Sequence, residues 1–197
     1  QTAAIIMKSV PTVSKLALTS NILSNGTIPV YKFRVAADAK GDIDLYKYTF
    51  QVATTSATAT NFVLYNVSAS PEAQVNNYNT GAANNTDMDM VLKNASGTDT
   101  QITVPAGTYK DFELRATVAG VSTGSSLSVQ LQGDAAKPAA MSGGLMTASA
   151  VDKDANDDFI WSDISQSSHS ASTADWFNGY LVSGLPSSNL AAEVLSK

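Results

Sequence analysis

The sequence predicts an all-β chain folded as a single antiparallel β-sandwich, immunoglobulin-like or jelly-roll-like, with a C-terminal tail packed on it. Three observations predict this. Apolar residues recur at every second position in several segments, as a strand lying over a core requires. Turn signals such as Asn25-Gly26, Gly41-Asp42, Ser96-Gly97, Pro105-Ala106-Gly107, Gly120 and Gly143-Gly144 separate those segments, at the spacing of about 8–12 residues typical of sandwiches and barrels. No long stretch repeats with the helical period of about 3.6 residues.

Taken in order, residues 1–14 read as a lead-in or linker strand, 15–165 as the sandwich and 166–197 as a closing tail. The first strand candidate is 14–19. Tyr31, Phe33 and Val35 then alternate with Lys32 and Arg34. YKYTF places Tyr46, Tyr48 and Phe50 on one face, with Lys47 and Thr49 between them. Segments 61–68, 87–93 and 100–104 follow. Phe112, Leu114, Ala116 and Val118 alternate with polar residues, as do Leu127, Val129 and Leu131. Segment 146–151 and FIWSDI complete the set. About ten strands exceed one seven-stranded immunoglobulin domain and fall short of two, which favours one sandwich. The tail SNLAAEVLSK reads as a turn or two of helix, or as a linker.

Composition narrows the function classes. The 197 residues are 44% hydrophobic and only 15% charged, the balance of a folded domain rather than a disordered one. A net charge of −5 with a pI near 4.6 argues against a nucleic-acid partner, which calls for a basic patch. No apolar run approaches the roughly 20 residues of a membrane-spanning helix, so direct membrane insertion is not expected. The absence of cysteine excludes disulfides, thiol catalysis and cysteine-ligated zinc. A low-charge, Thr/Ser/Asn-rich β domain without cysteine points to an extracellular place on a bacterial cell surface.

The stretch VDKDANDDFIWSDISQ, residues 151–166, is the densest in chemistry. Asp152, Asp154, Asn156 and Asp158 stand at alternating positions, and Asp163 lies eleven residues after Asp152. Calcium takes about six to eight oxygen ligands, and such spacing lets a tight loop turn several of them inward. The familiar helical calcium loop is not matched: its sixth position, which needs glycine, is Asp157, and FIWSDI exits as a strand. Two readings stay open: a calcium site on a β loop, formed by Asp152, Asp154, Asn156, Asp158 and Asp163, or a solvated acidic turn whose side chains cap their own backbone. Asp42 and Asp44, and Asp87 and Asp89, read as polar strand faces or charged edges that could lend a ligand to a shared cation.

Nothing in the sequence assembles a catalytic centre. His169 is the lone histidine, and it falls in QSSHSASTADW, a small-polar stretch expected to be exposed. No nucleophile elbow precedes a helix. Trp161 and Trp176, the two tryptophans, offer a sugar-stacking platform in one reading. In the other, Trp161 is a core residue and Trp176 anchors the tail. Sequons at Asn25, Asn66, Asn84 and Asn94 are the number that chance supplies in so Asn-, Ser- and Thr-rich a chain.

Longer strings carry more. VPTVSKLALTSNILSNGTIPVYKFRVAADAKGDIDLYKYTFQVATTSATATNFVLYN resembles the opening of a module found in large surface-exposed proteins of Parcubacteria and related candidate-phyla bacteria. DFIWSDIS, then HS, then DWFNGYLVSGLP, resemble its closing signature, and the resemblance spans residues 9–186. It implies a non-enzymatic β-sandwich unit of an S-layer-like, fibrous or adhesive surface protein. It also implies that Asp158, Phe159, Ile160, Trp161, Asp163, Asp175, Trp176, Asn178 and Gly179 form one linked unit. The expected partners are neighbouring copies or modules, with QTAAIIMKSVPTV pairing onto a neighbour's sheet edge. The alternative is a carbohydrate-binding or adhesive module that holds glycans, with Ca2+ as its cofactor.

Overall fold

Alternating apolar and polar residues fold into two antiparallel sheets packed face to face in this computed structural model, which describes residues 6–78, 86–136, 156–180, 182–185 and 189–197. In chain order the strands are β1 (Pro11–Lys15), β2 (Gly26–Ala37), β3 (Ile43–Thr55), β4 (Thr58–Asn66), β5 (Ala73–Tyr78) and β6 (Thr86–Val91). There follow β7 (Ile102–Val104), β8 (Tyr109–Ala119), β9 (Ser126–Leu131), β10 (Phe159–Ser162), β11 (Trp176–Phe177) and β12 (Glu193–Ser196). One sheet runs β1-β2-β8-β4-β5. The other is built around β3, whose 13 residues pair with β10 and β9 along one side and with β7 and β6 along the other. β11 and β12 pair onto the outer sides of β10 and β9. The architecture is the β-sandwich expected from the alternation.

Phe33 stacks on Phe112 with ring centroids 5.3 Å apart, and Tyr48 meets Phe33 edge-on at 5.1 Å. Phe112, Leu114, Ala116 and Val118, and Leu127, Val129 and Leu131, are all buried, on the faces their alternation assigns. Tyr46 is the exception. Ile160 pairs with Lys47 while Trp161 pairs with Leu45, so Tyr46 is the extra residue of a β-bulge, which turns the strand. Ile43 and Leu45 therefore face the core before it, and Tyr48, Phe50 and Val52 after it. Tyr46 joins Ile160 and Trp176 in a separate small cluster on the outer face. The expectation that Tyr46, Tyr48 and Phe50 share one face fails at this bulge.

The boundary drawn at residue 14 falls inside β1, and the segment 166–197 supplies β11 and β12. The helix considered for the tail is instead strand β12, antiparallel to β9, with Glu193 and Leu195 inward and Val194 exposed. Segment 146–151 lies outside the described residues. Parts of three edge strands are covered: on β1, Val13 N–H donates to Ser183 O at 2.8 Å, and on β12, Leu23 N–H donates to Ser196 O at 2.9 Å. On the opposite side Lys93 N–H donates to Val75 O at 2.7 Å.

Both lanes beside β3 are interrupted. Thr49 donates its N–H to Asp158 O at 2.7 Å and accepts Gln132 N–H at 2.9 Å. In an unbroken antiparallel ladder one residue would make both bonds. Gln132 and Asp158 together fill a single strand position. On the other side the lane breaks between Val91, opposite Lys47, and Ile102, opposite Leu45.

Candidate functional site

Asn156–Asp158, inside the stretch singled out by its acids, lead into β10 beside the break at Thr49. Asp152 and Asp154 lie outside the described residues. Asn156 Oδ1 accepts Ala136 N–H at 3.1 Å. Asp158 is buried beside Thr49 and Asp134. Asp163 accepts Lys8 N–H at 2.8 Å and Ser165 N–H at 3.2 Å. Asp158 and Asp163 stand at opposite ends of the extended β10, about 16 Å apart at about 3.3 Å per residue. One cation cannot touch both, so the expected calcium set that includes Asp163 is not assembled. Among the described residues no three His, Asp or Glu side chains converge as metal ligands.

With Asp134 and Lys47, Asp157 and Asp158 build a buried acid–lysine node. Asp134, at the end of the β9 lane, is fully buried. It accepts N–H groups from Asp158 at 2.9 Å, Phe159 at 3.3 Å and Gly179 at 2.6 Å. Burial pushes its carboxyl up to about 6, against the lowering effect of those three donors and of Lys47. Burial, and then the neighbouring charge of Asp134, pushes Asp158 up to about 7. Lys47 extends from β3 into the same break. Its side chain is 0% exposed, with Nζ 3.1 Å from Asp157 Oδ1 and 3.2 Å from Asp89 Oδ1. Asp89 also accepts the Thr49 hydroxyl at 2.9 Å. Ile160 and Val91 pair with Lys47 from the strands on either side, so the lysine stem runs between apolar neighbours.

The second half of the site is a clasp. Trp161 packs against Phe177 at 5.2 Å and donates its indole N–H to Asn178 O at 2.9 Å. Trp176 lies edge-on to Tyr46 at 6.0 Å and donates its indole N–H to Ser170 O at 2.8 Å. Both tryptophans are 1% exposed, so neither presents a face to a pyranose ring. His169 is not an exposed loop residue. Its ring lies 5.1 Å from that of Trp176. Nδ1 is 2.8 Å from Asp175 Oδ2, and Nε2 is 3.1 Å from Asp44 Oδ2. Burial opposes the charge of Asp175, but the Thr173 hydroxyl, Gln166 N–H and His169 outweigh it and lower its pKa. The loop 166–175 is thereby fastened over the outer face of β3.

The structure thus brings Asp158, Phe159, Trp161, Trp176, Asn178 and Gly179 into one unit through β10, β11 and Asp134. Asp163 leaves it and binds the entering chain at Lys8. Sequence reasoning missed Lys47, Asp134 and the fixed His169. An isolated Asp in QGDAAK and a Lys between two tyrosines carry no local signal of burial, because the cover comes from other strands and loops: Asp158, Phe159 and Gly179 for Asp134, and Asp89, Asp157 and Ile160 for Lys47. No protein-family model and no curated protein matches this chain.

Proposed function

We propose that this chain is a non-enzymatic structural module of a bacterial cell-surface protein, set with neighbouring copies in a tandem array, filament or lattice. One observation carries the reading: the chain enters and leaves at opposite ends of the sandwich. At entry, Lys8 packs on Gly41 in the β2–β3 turn. At exit, Lys197 donates to Ser125 O at 3.0 Å beside the β8–β9 turn. Gly26 pairs with Val118 and Ala36 with Tyr109, which puts those two turns at opposite ends of β2, about 35 Å apart at about 3.3 Å per residue. Ends placed this way suit modules strung along one line. The bonds that cover parts of β1, β5 and β12 discourage side-to-side strand pairing there. Composition and the resemblance of the end strings point the same way.

The expected donor-strand role of QTAAIIMKSVPTV needs revision, since Pro11–Val13 already pair with Val35–Ala37 of their own sheet. Contact with a neighbour would fall to the residues before Pro11. Two copies fused head to tail should appear in electron micrographs as a rod with the repeat of one sandwich length. Two sandwiches packed side by side would overturn the linear arrangement. Antibody should label intact cells of the source organism, and labelling only after permeabilisation would overturn the surface assignment.

A further inference from the structure

We propose that Lys47 and Asp157 condense into an intramolecular isopeptide bond, with Asp89 as the proton-shuttling acid. The inference stands on the node's geometry and not on the reading of the chain as a surface module. Lys47 is the one lysine among the described residues that is buried. Its Nζ lies 3.1 Å from Asp157 Oδ1, one covalent bond from the carbon to be attacked. Reacting groups held at about 3–3.5 Å gain effective molarities of roughly 10⁵–10⁸ M. Taking an ammonium and a carboxylate out of water is costly. Moving one proton from Lys47 to Asp157 removes both charges and leaves a neutral amine facing a carboxylic acid, the two forms that react.

The step balances without an oxidant or a cofactor. The Lys47 nitrogen lone pair attacks Asp157 Cγ, a C–N bond forms, and the carbonyl π pair moves to oxygen. Asp89, 3.2 Å from Nζ, takes a proton from the nitrogen and delivers it to the hydroxyl of the tetrahedral carbon. The C–O bond breaks, water leaves, and a secondary amide remains. Asp157 is the acyl partner and Asp89 the shuttle because their side chains are 2% and 16% exposed. The better solvated acid also holds the Thr49 hydroxyl and can exchange its proton. Ile160 and Val91 beside the lysine keep water from the product amide.

The test is mass spectrometry of the folded, full-length chain. Its intact mass should fall short of the sequence mass by one water. Trypsin should spare Lys47 and release a branched peptide, Gly41–Lys93 joined to Asp154–Lys197. Lys47→Met and Asp157→Ala should restore the full mass. Asp157→Asn should lose ammonia in place of water and reach the same cross-linked mass as the parent chain, which a purely structural role would not produce. Asp89→Ala should leave most folded chains uncross-linked. Linear Gly41–Lys47 and Tyr48–Lys93 in full yield from the parent protein would overturn the proposal whether or not any variant folds. A water deficit that persists in Lys47→Met would overturn it as well.

Discussion

Gly179 is needed where it stands for lack of a side chain. A Cβ there would sit 2.7 Å from Asp134 Oδ2 and 2.9 Å from Phe159 Cβ. Gly184 combines a φ of +78° with a Cβ position 2.0 Å from Val13 O. Gly184→Ala should destabilise the fold by about 2 kcal/mol or more, as strain of both kinds adds; urea denaturation would measure it, and an unchanged midpoint would contradict the tight contact. The Asp134–Asp158 pair predicts a pH effect. Both carboxyls are raised in the folded state, to about 6 and about 7. The stability they contribute is present below about pH 4 and is lost as pH rises through 6 to 7. Asp175, lowered in the folded state, acts in the opposite sense, and its contribution fades only as pH falls toward and below the ordinary carboxylate range. Melting temperature should therefore fall between pH 5 and pH 8, by several degrees for an effect on the order of 2 kcal/mol. Asp158→Asn should flatten that slope and raise the melting temperature at pH 8. A slope unchanged in Asp158→Asn would move the effect elsewhere.

The element that carries most of the site is the loop 166–175 with β11 behind it. It has two residues of strand, one buried indole and the His169 bridge between Asp175 and Asp44. Trp176→Ala should cost roughly 3–5 kcal/mol and open the loop to protease before the sandwich unfolds. His169→Ala should cost less, on the order of 1–3 kcal/mol, and raise hydrogen exchange in 166–177 alone; uniform exchange across the sheets would argue against a separate clasp. Elements differ in how far the sequence announces them. The alternation of Phe112 through Val118 gives a strand and its inward face without further information. The bulge at Tyr46 is set by Ile160 and Trp161 on a strand more than a hundred residues on, so no window of local sequence reports it. β11 is too short for any periodicity, and β12 hides in a string whose alanines and leucines suit a helix as well. His169 lies among serines and threonines that imply solvent, while its two carboxylate partners come from β3 and from the residue before β11. Of the acids in 152–163, Asp157 turns to a lysine and Asp163 to backbone N–H groups, partners that spacing cannot choose between.

At the scale of the whole molecule, chain ends at opposite poles load β1 against β2 and β12 against β9 when the ends are drawn apart. Both pairs are antiparallel ladders pulled along their length, so their hydrogen bonds resist together. A head-to-tail fusion of two copies, stretched by its termini, should unfold in discrete events. Gly184→Ala should lower the unfolding force by loosening β1, and a force unchanged in that variant would place the resistance elsewhere. The interrupted lane has a different consequence, one for watching the protein breathe. Gln132 and Asp158 bond to the same residue, Thr49, from one side, so two distant points of the chain are held at one place. Amide exchange at Thr49 follows the docking of Asp158, and exchange at Gln132 follows the end of β9, since a protected amide exchanges only when its own bond opens. Neighbouring amides thus gauge two separate openings of the sheet.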